Sequence, residues 1–159
     1  MHIVIELRET RDGDLDVFWE QLTDPGLRYT AERAGASSYD REHFDTHWAG
    51  IRRDPAVTLR TVVADGAVVG YAAVFGQPGG RQVTHVIGVE HRGRGIASRA
   101  VAELVRLEGT RPLYAGAVAD SAASVRVLVN CGFTVTGRTR EFVRSRGEEV
   151  DVLLLTLDR

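Results

Sequence analysis

Six residues, Arg92-Gly93-Arg94-Gly95-Ile96-Ala97, have the types and the order that hold a phosphate. They follow an apolar stretch, Gln82 to Val89, that reads as a strand, and they run into a helical pattern from about Gly95 to Glu108. A helix start carries free N–H groups and a partial positive charge, so it attracts an anion. Gly93 and Gly95 let the backbone approach a ligand with no Cβ in between. Ala97 keeps that approach narrow one turn later, and Arg92 and Arg94 add positive charge. Two other phosphate loops are excluded. A P-loop needs Gly-Lys-Ser/Thr, and the chain contains no Lys. The dinucleotide fingerprint needs a third Gly at the first strand of a parallel unit, whereas this loop sits mid-chain after antiparallel strands. A plain glycine-containing strand-to-helix turn is the blander reading of the same residues.

The elements that position this loop are legible from periodicity. Ile3, Ile5 and Leu7 alternate as in a strand, and Asp12-Gly13-Asp14 opens a helix through Leu15, Phe18, Trp19 and Leu22. Leu27 to Ser38 reads as loop or irregular helix. Asp40 caps a second helix, with Phe44, His47, Trp48 and Ile51 on one face. Val57–Ala64, Asp65-Gly66 and Ala67–Phe75 form a hairpin. After the loop, Val101, Leu104, Val105 and Leu107 mark the inner face of the next helix. Leu113–Val118 is a strand, and Ser121–Asn130 a helix with Val125, Leu128 and Val129 inward. Phe133–Val143 and Val150–Leu157 close the chain as a hairpin across Gly147. A meander followed by strand–helix–strand makes a mixed α/β sheet.

Composition bounds the function. The 159 residues suit one domain, 1–159, with 43% hydrophobic and 26% charged residues. The net charge of −2 gives no reason to expect nucleic acid, although all 20 basic residues are Arg. One cysteine, Cys131, excludes an internal disulfide and fits a reducing compartment. No signal peptide and no run of roughly 20 apolar residues is present, so a cytoplasmic protein with no membrane partner is expected.

Arg92-x-x-Gly95-x-Ala97 resembles the signature of the GNAT superfamily of N-acetyltransferases. The stretch Val86 to Ala100 is similar to the branch that includes the ribosomal-protein N-terminal acetylating enzymes. Ser121-Ala122-Ala123-Ser124 with Leu128 and Gly132-Phe133 resembles a second block of that branch. The resemblance implies a single-domain α/β (α+β) fold. Its mixed, mostly antiparallel sheet has about seven strands, flanked by about four helices, and two central strands splay apart. It implies acetyl-CoA as co-substrate. The pantetheine arm would lie in the gap, against backbone groups around Ile87, Gly88 and Val89. The pyrophosphate would sit on the N–H groups of Arg92, Gly93, Arg94, Gly95, Ile96 and Ala97. Transfer would be direct, by attack of a deprotonated amine on the thioester.

Departures from the pattern matter. The branch's Asn is Ser121 here, which shortens that contact to the cofactor arm. The position where many members carry an acidic Tyr is Leu128, which cannot donate a proton. Ser124 takes the acid role in this reading, with service to the first helical turn as its alternative. For the base, a carboxylate or His must lie near the thioester. His85 on the cofactor strand and Glu141 on the strand after Gly-Phe are the candidates. Glu148 and Glu149 read as solvated charges. His43 and His47 have an i, i+4 metal spacing without a third ligand, so no metal is expected. Cys131 reads as a buried small residue rather than a nucleophile. Tyr29, Tyr39, Phe44, Trp48, Tyr71 and Phe75 are candidates for an acceptor pocket or for core.

Two functions of different class remain. One is an acetyl-CoA-dependent N-acetyltransferase acting on a small amine or a protein N-terminus, as monomer or homodimer. The other is a non-catalytic acetyl-CoA sensor, suggested by Leu128 and Ser121. The region Thr10 to Pro55 carries no readable acceptor motif, and its mixed charges argue weakly against a strongly cationic substrate.

Overall fold

A computed structural model of the chain describes residues 2–33, 40–144 and 146–159. Seven strands form one sheet in the order β1-β2-β3-β4-β5-β7-β6. They are β1 (Ile5–Arg8), β2 (Thr58–Ala64), β3 (Ala67–Phe75), β4 (Gln82–Ile87), β5 (Leu113–Val118), β6 (Thr134–Val143) and β7 (Glu148–Leu157). Five α-helices accompany them: α1 (Asp14–Gln21), α2 (Pro25–Arg33), α3 (Arg41–Arg53), α4 (Ile96–Glu108) and α5 (Ala122–Asn130). All strand pairs are antiparallel except β4 with β5.

The fold class matches the expectation, with one more helix than the sequence pattern suggested. The stretch from Leu27, read as loop or irregular helix, carries α2 as far as Arg33, opened by the Asp24 carboxylate, which accepts from the Leu27 N–H at 3.0 Å. Its polar composition hid its periodicity, and among its described side chains Leu27 is buried. Two side chains expected inside face out. Leu107 is 48% and Val129 is 49% exposed, because each sits about a quarter turn off its helix's inner stripe. Val89 leaves the sheet at Gly88 and begins a single 3-10 turn, Val89–His91.

The sheet has two covered faces. On one, α4 inserts Ile96, Ala100, Val101, Leu104 and Val105 against Val62, Val83, Ile87, Leu113, Ala115 and Leu155. On the other, Phe18 of α1, Leu27 of α2 and Phe44 and Trp48 of α3 pack on Tyr71, Ala73 and Val86. Phe44 and Trp48 are therefore core, 1% and 2% exposed, and the Trp48 and Tyr71 rings meet edge-on. Tyr39 lies outside the described residues, as does the side chain of Tyr29.

Asp14 ties α1 to the edge of the sheet. Its carboxylate accepts from both Arg8 nitrogens at 2.7 and 3.0 Å, from the Arg11 N–H at 2.9 Å and from the Thr61 hydroxyl at 2.8 Å. Burial pushes the Asp14 pKa upward, but these four donors outweigh it and hold the group at about 2, below its ordinary 3.8. A depressed carboxylate stabilises the fold fully above its unfolded pKa and loses that contribution as the pH falls through the folded value. Asp14→Asn should therefore cost roughly 2 kcal/mol at neutral pH, and the difference from the parent should close as the pH falls from 4 towards 2. Urea unfolding across that pH range checks it.

Candidate active site

The parallel strands β4 and β5 touch at one end only. Their sole paired residues are Gln82 and Tyr114, and the Tyr114 N–H donates to the Arg81 carbonyl at 2.9 Å. Arg81 fixes that closed end. Its guanidinium donates to the Gly76 and Ala56 carbonyls at 2.8 and 2.7 Å and to Glu108 at the end of α4 at 2.9 and 2.5 Å. Both side chains of that ion pair are nearly buried. Beyond this point the strands diverge.

The divergence leaves backbone groups facing a gap. The Gly88 N–H donates to the Val69 carbonyl at 2.9 Å, so the even-numbered residues of β4 turn their backbone towards β3. By alternation, Val83, His85 and Ile87 turn theirs towards the gap. Ile87 is thus placed to pair with an extended ligand. Gly88 is not, because its carbonyl also accepts from the His91 N–H at 2.9 Å. Gly70 lets β3 lie this close: a Cβ there would fall 1.8 Å from the Val86 carbonyl oxygen.

A cavity of about 400 Å³ lies at the gap, and residues from both sides of the sheet line it. This volume suits a small-molecule arm. On the α4/α5 face it is lined by His91, Arg92, Gly93, Gly95–Ser98, Ser121, Ser124, Arg126 and Asn130. On the α2 face it is lined by Gly26, Leu27, Thr30, Phe75, Thr84 and Arg146.

Glycine supplies the turn into α4. Gly93 and Gly95 have φ of +81° and +75°, a region that side-chain-bearing residues rarely adopt. Gly95 is the residue before the helix, which has no side-chain cap and no acid in its first turn. Its opening N–H groups are therefore unclaimed by the chain's own side chains and face the cavity mouth. The Arg92 N–H differs: it donates to the Val89 carbonyl at 3.2 Å. Arg94 is exposed and its side chain lies off the cavity lining, while Ile96, at 1% exposure, is core.

The proton-handling candidates separate. Ser121 and Ser124 both line the cavity, and the Ser121 hydroxyl donates to the Ser124 oxygen at 3.0 Å instead of capping α5. Leu128 is buried below them. His85 lines the cavity, but its side chain points to the α4 face with Val83 and Ile87. Burial lowers its pKa to about 4, so it is neutral at neutral pH and a weak base. Glu141 is not brought to the site. It lies on the edge strand β6 opposite Val150, with β7 and β5 between it and the gap. Its distance from Gly-Phe did not reveal that β6 is the outermost strand. Cys131 donates to the Ser98 carbonyl, and burial pushes its thiol pKa up, as expected of a packed cysteine. Among the described residues no group of His, Cys, Asp and Glu has a metal-holding arrangement.

Sequence reasoning missed Arg126, Ser98 and Asn130 on the cofactor face, and Thr84 and Arg146 on the other. The i, i+3, i+6 run Ser124, Val127 and Asn130 was a usable signal for the α5 contribution. Arg146 carried none.

The sequence matches the model of an acetyltransferase (GNAT) domain over residues 5–134. The chain belongs to that family. A search of curated proteins finds no match. Solved structures agree in fold. The protein yncA of Salmonella typhimurium, solved with its cofactor acetyl-CoA, superposes with a TM-score of 0.75 at 20% identity, covering 97% of this chain and 93% of that one. Spermidine N-acetyltransferase of Vibrio cholerae, solved with CoA and spermine, gives 0.79 at 17% identity, covering 97% and 95%. RimL, a ribosomal L7/L12 α-N-protein acetyltransferase, gives 0.74 at 16% identity, covering 98% and 90%. The chain is therefore a GNAT N-acetyltransferase domain, of a family whose co-substrate is acetyl-CoA.

The glycine geometry yields a direct test. Gly95→Val puts a β-branched side chain at φ +75° beside the helix start, a strain of about 1–2 kcal/mol. Calorimetric affinity for CoA should fall at least tenfold, or about 1.4 kcal/mol, while the thermal midpoint drops by only a few degrees.

Proposed function

We propose that acetyl transfer is direct, within a ternary complex entered from two faces of the sheet. One observation carries this reading: the cavity at the β4–β5 divergence is lined by residues from both sides of the sheet, Ser121 and Ser124 on one and Leu27 and Thr84 on the other. The phosphates of acetyl-CoA rest on the N–H groups at the start of α4, with Arg92 and Arg126 beside them. The pantetheine arm runs along the gap edge of β4 as a short extra strand. The amine arrives from the α2 face.

The amine nitrogen attacks the thioester carbonyl carbon, and the backbone N–H of Ile87 stabilises the oxyanion. The C–S bond then breaks and the electron pair leaves on sulfur. The nitrogen, cationic after attack, loses its extra proton to water. The Ser124 hydroxyl, which already accepts from Ser121, donates a hydrogen bond to the departing thiolate while water returns a proton to sulfur. The Ser121 donation makes that hydroxyl a better donor. Among the described residues no carboxylate lines the cavity, so the ammonium proton leaves to water before attack.

The acceptor is a primary amine, and the catalytic reading is separated from the sensor by turnover. The absence of a lining carboxylate among the described residues, with Leu128 in place of an acidic side chain, is what favours the sensor. Thiol release from acetyl-CoA with a panel of amines distinguishes them; tight acetyl-CoA binding with no thiol release by any amine would support the sensor. Ser124→Ala should lower kcat on the order of 10²-fold while leaving acetyl-CoA affinity nearly unchanged. A fully active variant would remove Ser124 from the mechanism.

A further inference from the structure

The charge around the cavity is one-sided. Among the described residues that line it there is no Asp and no Glu, while Arg92, Arg126 and Arg146 all do. Arg92 and Arg126 stand on the α4/α5 face, where the cofactor's phosphates require them. Arg146 does not belong to that group. It sits in the turn between β6 and β7, where the Arg146 and Gly147 N–H groups both donate to the Val143 carbonyl, at 3.1 and 2.8 Å. Val143 packs with Val118, Val150 and Val152, and these side chains lie on the sheet face opposite the α4/α5 core. The turn that carries Arg146 thus follows a strand end packed on the face opposite α4/α5, and Arg146 itself lines the cavity.

The other lining residues on the α2 face carry no charge: Gly26, Leu27, Thr30, Phe75 and Thr84. Among the described residues the carboxylate that pairs with Arg146 is Asp120, at a loose 3.7 Å, 73% exposed and off the cavity lining. A polyamine entering here would bring several cations past the Arg146 guanidinium with no acid among the described lining residues to receive them. An amine that carries its own carboxylate finds the reverse: a planar donor fork matched to a carboxylate, and small polar hydroxyls of Thr30 and Thr84 beside an apolar wall.

We propose that the acceptor is a small amine bearing a carboxylate, of the free amino-acid class, and that Arg146 binds that carboxylate. This rests on the reading of the α2-face mouth as the acceptor entrance. It separates the enzyme from one built for polyamines despite the shared fold.

The test compares matched acceptors at saturating acetyl-CoA. Free α-amino acids, their carboxamides, the corresponding decarboxylated amines, ω-amino acids with longer spacers, and spermidine are assayed by thiol release. At least one carboxylate-bearing amine should exceed its carboxamide by tenfold or more in kcat/KM, and the ω-series reports the spacing from nitrogen to Arg146. In Arg146→Ala that preference should collapse through KM, with kcat and CoA affinity little changed. Arg146→Lys should restore part of it. Preference for spermidine or for the carboxamides, or an Arg146→Ala variant that keeps the carboxylate preference, would overturn the proposal. If no amine turns over, calorimetric binding of the same pairs to the CoA-saturated protein gives the answer instead. Carboxylate-dependent binding lost in Arg146→Ala would then uphold the Arg146 assignment while the transfer reading fails, and absence of such binding would overturn both.

Discussion

One constraint organises the molecule: β4 and β5 are parallel neighbours that pair at a single point, Gln82 with Tyr114. A continuous sheet would have satisfied the backbone of Val83, His85 and Ile87 internally. The divergence leaves those groups for a ligand that can pair like a strand. Such an opening must be held from elsewhere. The buried Arg81–Glu108 pair locks the closed end to α4 and to the β3–β4 turn. The two helices that follow the diverging strands, α4 and α5, then frame the open end, and the Cys131 thiol of one donates to the Ser98 carbonyl of the other.

The same geometry divides the chemistry between the two faces. Side-chain alternation on β4 sends His85 and Ile87 towards α4 and Thr84 and Val86 towards the aromatic cluster of α1 to α3. The cofactor face gathers helix N–H groups, glycines and arginines. The opposite face offers hydroxyls, an apolar wall and Arg146. A transfer enzyme of this kind needs little proton machinery from its side chains if the amine arrives neutral and the leaving thiolate meets a hydroxyl. Ser121 and Ser124, hydrogen-bonded at the start of α5 and lining the cavity, are the hydroxyls proposed for that task.

The glycine turn into α4 was legible in the sequence, because backbone constraints leave local marks. Gly93 and Gly95 in the left-handed region, a strand before them and an amphipathic helix after them are all short-range features. The Ser121–Ser124 pair could be placed because it opens a helix at a fixed distance from Gly132-Phe133. What failed was long-range. Glu141 sits at the right distance along the chain, but the strand order puts β6 at the sheet edge, and no local pattern encodes that order. His85 has the expected parity, yet its depressed pKa depends on what α4 and the sheet exclude from it. Helix α2 was hidden by its polar composition, and Arg146 by its place in an ordinary turn. Both contribute to the cavity lining from a short helix and a turn, the kind of segment whose sequence varies most.

The central claim is that the β4–β5 gap holds the thioester between two faces. A crystal structure with acetyl-CoA tests it most directly. The account predicts pantetheine along β4 with an amide paired to Ile87, the pyrophosphate on the N–H groups at the start of α4, and the thioester sulfur within hydrogen-bond reach of the Ser124 hydroxyl. Acetyl-CoA bound with its pantetheine arm outside the gap, or with Ser124 remote from sulfur, would contradict it.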